Sequence, residues 1–213
     1  MFRPRALAPL ALALVFAASP ARAEKETFVL DKPHTEIGFK VRHFVAKVGG
    51  RFSKFEGAVV LDRAKPEESS VDVKIDATSI DTGNPSRDKH LNSPDFFDTA
   101  TFPEITFKST KVAAKGKDAF EVTGDLTMRG VKKPVTLTVL ANGFVGDGMG
   151  GQKTGFDVTG KLNRKDFGVS WNKVVDQNAM LSDEVDLAIF VEAKKPAAPP
   201  AAPAAAPAGP ATK

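Results

Sequence analysis

Three histidines, at positions 34, 43 and 90, are the only imidazoles in the chain, and cysteine is absent. A zinc site needs three or four N, S or O ligands with supporting partners. His34 and His43 lie nine residues apart across a strand-like pattern, which is not a chelating spacing, so no metal site is predicted. Nucleophilic chemistry has little to work with, because the G-x-S-x-G elbow is missing. Asp88 and His90 are two apart and could share a hydrogen bond within a turn, but no activated nucleophile accompanies them. No catalytic residue is assigned. Paired carboxylates remain open, since acids are abundant and such pairs form in space. Gly148-x-Gly150-Gly151 weakly resembles a phosphate loop, yet no helix follows it, and a hairpin turn is the better reading. Arg87, Arg129 and Arg164 sit in loops or at strand ends, where a guanidinium fork could hold an anionic group. Surface pairing with Asp88, Asp125 or Asp166 is the plainer alternative, and it is preferred for Arg164.

The elements that would position these groups are strands. Apolar residues recur at every second position almost throughout. Ile37, Phe39 and Val41 form one such set, and Phe55, Gly57, Val59 and Leu61 another. Val71, Val73 and Ile75 alternate with Asp72, Lys74 and Asp76. Further sets end at Phe107, Met128, Val139, Leu162 and Val191. Gly49-Gly50 is predicted to turn the chain, as is Gly146 to Gly151. About eight one-faced strands without crossover helices imply an antiparallel sheet. The fold class is therefore all-β, closed as a barrel or paired as a sandwich; a barrel of about eight strands has room for side chains or one small ligand. Gly57, Gly124 and Gly160 fall among the inward positions, where either a cavity or a bulge would use them.

One segment breaks the alternation. In Arg87 to Ser109 (RDKHLNSPDFFDTATFPEITFKS), Asp88 to Leu91 can form about one helical turn, which Ser93-Pro94 ends. Phe96 and Phe97 then point to opposite sides of the backbone. An apolar plug flanked by charge, between two β regions, reads as a short helical lid on a barrel.

The termini differ in kind. Arg3 and Arg5, an apolar run from Ala6 to Ala18, and Ala21-Arg22-Ala23 have the layout of a cleavable signal peptide over residues 1–23, with cleavage before Glu24. Export to the periplasm is expected. The barrel domain is assigned to residues 24–193, and the Ala/Pro-rich stretch 194–213 is expected to be an extended, solvated tail. The whole chain has 30 Lys+Arg and 26 Asp+Glu; removing Arg3, Arg5 and Arg22 leaves 27 against 26, or +1. No basic block is interleaved with aromatics, so nucleic acid is not expected as a partner. Sixteen Phe beside one Trp and no Tyr supply apolar area without hydroxyls to satisfy, which suits packing and a hydrocarbon ligand alike.

Several segments carry a resemblance. Asp88, His90-Leu91, Asp95-Phe96-Phe97-Asp98 and Phe102-Pro103-Glu104-Ile105-Thr106-Phe107-Lys108-Ser109 are similar to the central signature of the YceI-like family. Asp31, His34, Ile37-Gly38-Phe39 and Val41-Arg42-His43 lead into Gly50, Phe52, Phe55 and Gly57 upstream. Gly124 to Val135 resembles the second strong motif, and Arg164-Lys165-Asp166-Phe167-Gly168 the third. The resemblance runs from about Thr27 to Ala193. It implies a lipocalin-like antiparallel barrel enclosing a polyisoprenoid, with that lipid as ligand and no other cofactor. On this reading Phe39, Val41, Phe52, Phe107, Leu126, Met128 and Phe156 would line the cavity. Phe96 and Phe97 would control access, and His43 would stand at the mouth. Arg87, His90 and Arg129 would be headgroup candidates. The expected function is to sequester or carry an isoprenoid quinone or isoprenoid phosphate. Alternatives are a hydrolase or isomerase using His43, Asp88 or His90, and a scavenger of lipophilic toxins. The partner expected is a small lipophilic ligand; the protein could also touch a membrane transiently for lipid exchange and pair as a homodimer.

Overall fold

The structure, a computed structural model, describes residues 25–175 and 178–195. The predicted signal peptide and all but the first two residues of the predicted tail lie outside it. The strands are β1 (Glu26–Leu30), β2 (Glu36–His43), β3 (Ala46–Phe52), β4 (Phe55–Leu61), β5 (Ser70–Asp76) and β6 (Ile80–Asp81). The helix α1 (Pro85–Leu91) follows. The chain then continues through β7 (Glu104–Ala114), β8 (Ala119–Met128), β9 (Val131–Gly146) and β10 (Gln152–Asn163). A small hairpin of β11 (Val174–Val175) and β12 (Asn178–Ala179) precedes β13 (Leu181–Lys195).

The ladder order shows how these strands become eight staves. Strand β2 pairs with β13 at its Leu181–Phe190 half, and β1 pairs with the same strand at Ala193 and Lys194, so β1 and β2 are one interrupted stave. Strands β3 and β4 make the second, against β2 and β1 respectively, and β5 with β6 makes the third. Strands β7, β8, β9, β10 and β13 follow singly, every ladder is antiparallel, and the β1–β13 pairing closes the ring. Closure removes the unpaired edges that an open sheet would expose. The protein is an all-β, antiparallel eight-stave barrel with one short helix.

The interruptions are repaired locally. Where β3 gives way to β4, Ser53 and Lys54 donate backbone N–H bonds to the carbonyl and hydroxyl of Ser79, in the 3-10 turn that divides β5 from β6. Asp76 caps that turn by accepting from the Thr78 N–H. Pro33 starts the corresponding turn between β1 and β2. Asp31 at the β1–β2 break donates its N–H to the Glu192 carbonyl, and Ala77 at the β5–β6 break donates to the Pro103 carbonyl, so chain that leaves the ladder still finds partners.

Side-chain alternation then sorts the two faces. Lys40, Glu56, Asp72, Lys74, Lys108 and Lys161 are exposed on the outside, the reverse of the apolar outer band that a membrane-spanning barrel carries. No helix among the described residues is long and apolar enough to cross a membrane.

Two boundaries differ from expectation. Gly49 and Gly50 lie inside β3, and the turn falls at Phe44-Val45, with Phe44 at φ 50°. Gly50 is needed for space: a Cβ there would come within 2.5 Å of Phe39 Cζ. The domain limit at Ala193 falls inside β13, whose ladder to β10 continues to Lys195.

Candidate functional site

Because neighbouring staves run in opposite directions, the connections alternate between two ends of the barrel. One end carries the β2–β3 turn, the α1 segment, the Arg129-Gly130 turn and the Arg164–Phe167 turn. The other carries the 62–69 loop, the 115–118 turn and the 147–151 turn. Between them is a cavity of about 490 Å³, walled by inward side chains of all eight staves. A dry cavity of about 150 Å³ accommodates one benzene, so this hollow has room for roughly 20 carbons, or about four isoprene units.

The wall is hydrocarbon. Val59, Val73, Phe107, Leu137, Val158 and Ile189 typify it, one each from six staves. Thr35 is the polar side chain set away from the rim, and its hydroxyl already donates to the Glu192 carbonyl at 3.0 Å. No buried side-chain nitrogen or oxygen among the described residues lacks a partner. Such a wall offers a ligand apolar contact and no polar one. An apolar occupant fits it, whereas a buried polar group would lose its hydration without replacement.

The α1 end is shut. Asn84 caps the helix by accepting from the Arg87 N–H, and Pro85 occupies its first turn. The helix starts one turn earlier than expected. Leu91 and Phe97 pack onto the core, with the Phe97 ring edge-on to Phe52 at 5.8 Å between centroids. Phe96 is buried on the outer side of this plug, against His90 and Trp171 at 5.0 and 5.1 Å. Arg129 donates to the carbonyls of Phe96 and Pro94. Arg87 holds Thr82 through its hydroxyl and its carbonyl, both at 2.7 Å, and Asp88 accepts from the same threonine.

Arg164 ties down the last loop at this end. It is 4% exposed and donates to the carbonyls of Ser182, Val169 and Trp171 at 2.8–3.0 Å, with Asp183 at 3.4 Å. Burial pushes the guanidinium below its ordinary pKa, although Asp183 opposes this.

The opposite end is open, and the charged groups that line the cavity collect there. Arg63, Ser69, Ser70, Lys117, Asp118 and Phe144 border the opening. Arg63 pairs with Glu26, donates to Gln152 and stands 3.9 Å above the Phe144 ring.

Beside this end an ion-pair lattice crosses the seam of the barrel. Buried Asp31 accepts from Lys194 at 2.9 Å, and His34 Nδ1 lies 2.9 Å from its other oxygen. Lys153 bridges Glu192 at 2.7 Å. The Lys194 hydrogen bond, followed by that of His34, lowers the Asp31 carboxyl pKa to about 2. Asp31, His34 and Glu192 are close enough to share a cation, but the two ammonium groups already neutralise their oxygens.

Of the residues expected around a ligand, Phe39, Phe52, Phe107, Leu126, Met128 and Phe156 line the cavity. Val41 and His43 do not. They lie at the closed end, and His43 packs edge-on against Phe44 at 4.8 Å. Phe96 and Phe97 belong to the plug of that end, and neither borders the rim where Arg63 and Lys117 stand. Arg87, His90 and Arg129 stand there too, on the far side from the opening and bonded to loop groups. Asp88 and His90 do not pair: Asp88 binds Thr82, and His90 Nε2 lies 2.8 Å from Asp95. Arg164 is a buried clasp rather than a surface ion pair. The rim, with Arg63, Lys117 and Phe144, was missed; a mixed polar-apolar loop at a strand end carries no periodic signal.

A YceI-like domain matches residues 28–193. The chain belongs to the YceI-like family. It is 39% identical over 180 residues to "Protein YceI" of Escherichia coli, covering 84% of this chain and 91% of that protein. Among solved structures it resembles BcnA of Burkholderia cenocepacia, with 28% identity, a TM-score of 0.68 and coverage of 76% of this chain and 98% of that one. A polyisoprenoid binding domain from Saccharophagus degradans shares the fold at 16% identity, with a TM-score of 0.55 over 81% of this chain and 100% of that domain.

Proposed function

We propose that this YceI-like protein is a periplasmic binding protein that sequesters or carries a polyisoprenoid-type lipid, an isoprenoid quinone or isoprenoid phosphate. The observation that carries the reading is the hollow itself: apolar along its length, closed at one end, with charge only at the open rim. A prenyl chain would lie inside, and its headgroup would rest near Arg63 and Lys117. The shared fold of a domain described as polyisoprenoid binding supports the choice of lipid class. The signal-type segment at 1–23 supports the compartment.

Energetics agree. Burying a five-carbon unit contributes up to roughly 4 kcal/mol at about 0.8 kcal/mol per CH₂. Chain ordering and lost free motion offset much of that. Several units still suffice for binding without polar contacts. Native mass spectrometry of protein isolated from the periplasm tests the proposal. The expected species is a chain beginning at Glu24 with one lipid adduct that organic solvent releases as a prenyl compound. A chain that retains residues 1–23, or that carries no lipid and takes none up on titration, contradicts it.

A further inference from the structure

The β9–β10 hairpin has a feature that neither the core nor the cavity accounts for. Its tip reads Val145-Gly146-Asp147-Gly148-Met149-Gly150-Gly151, and Met149 is 83% and Val145 63% exposed. The tip is a built turn. Asp147 accepts from the backbone N–H groups of Met149 and Gly151, both at 2.8 Å, and Gly148 and Gly150 supply φ of 78° and 88°. This geometry holds a large apolar side chain out in water. Phe144, one residue further in, is 46% exposed yet also lines the cavity, and its ring lies 5.9 Å from that of Phe28. The hairpin that puts Phe144 into the cavity therefore also presents Val145 and Met149 to water at the open end. Exposed apolar patches of this kind mark contact surfaces.

We propose that this hairpin docks onto a lipid bilayer surface and brings the cavity mouth against it. The proposal rests on the lipid-binding reading above: a prenyl chain is nearly insoluble, so it must pass from membrane to cavity without crossing water. Continuity with the mouth selects a bilayer as the occupant. Charge points to an apolar contact, because the three connections of this end carry no excess of base: Arg63, Lys65, Lys115 and Lys117 stand against Asp62, Glu67, Glu68, Asp118 and Asp147. Docking should therefore occur on zwitterionic as well as anionic membranes, with Met149 and Val145 entering the interfacial region.

The test uses the lipid-free mature chain and measures two quantities with geranylgeraniol: uptake rate from phosphatidylcholine vesicles, and affinity in detergent micelles. Val145→Asp with Met149→Asp should slow vesicle uptake about tenfold and leave the micelle affinity within about twofold. Val45→Asp is the control, since Val45 is fully exposed at the closed end and should have no effect. Unchanged vesicle uptake in the hairpin variant, or an equal slowing by Val45→Asp, overturns the docking surface. Failure of the unsubstituted protein to take geranylgeraniol from micelles overturns the lipid-binding reading, and docking with it.

Discussion

Arg164 shows how one side chain can be read in type and misread in place. Its motif is visible in the sequence, but an arginine flanked by Lys165 and Asp166 looks like surface charge. In the structure its fork meets the backbone carbonyls of Val169, Trp171 and Ser182. Removing the fork strands those carbonyls, so Arg164→Ala is expected to lower stability by about 3 kcal/mol. Arg164→Lys should recover only part, because one ammonium cannot span the same three acceptors. Urea denaturation of each variant measures both effects; a loss below about 1 kcal/mol for Arg164→Ala would contradict the role. Asp31 makes a second case. Its folded pKa of about 2 lies below the ordinary value near 3.9. Its stabilising contribution is therefore complete above about pH 4 and is lost as pH falls through about 2. Asp31→Asn should remove this acid-sensitive part and cost about 1.5 kcal/mol at pH 7, at the low end for a charged hydrogen bond because Lys194 is half exposed. Stability followed from pH 5 to pH 2 distinguishes the two proteins. Identical acid profiles would show that the seam lattice does not titrate as described.

At the scale of elements, period-two alternation was enough to place all eight staves, since each presents one face to the cavity and one to water. Turns were less legible. A glycine pair marks a turn only when glycine is there for backbone freedom, and Gly50 is there to make room for Phe39. Gly124 is used the same way: a Cβ would come within 2.5 Å of the Phe107 ring, which folds over it. The true turn at Phe44-Val45 uses a non-glycine residue at positive φ, which composition does not reveal. The helix was legible as a break in the alternation, while its first turn, set by Asn84 and Pro85, needed the capping geometry.

At the scale of the molecule, the alternation of connections puts α1, the Arg129-Gly130 turn and the Arg164 turn at one end, and this much follows from strand order. Which end is open does not follow. That depends on Phe97, Leu91 and Phe167 filling one end while the 62–69 loop leaves the other unfilled, and volume is not written in periodicity. The resemblance located the residues that build the plug, and their charge invited a reading as a headgroup site. Their polar atoms instead bond the loops that close the barrel.

On the proposed function, the barrel shelters an oily chain whose length is limited by the hollow. Titration of lipid-free protein with prenols of two to eight isoprene units tests it most directly. One prenol should bind per chain, with affinity rising through about four units, where roughly 490 Å³ of hollow is used up, and then levelling. Affinity indifferent to chain length, or the absence of saturable binding, would contradict it.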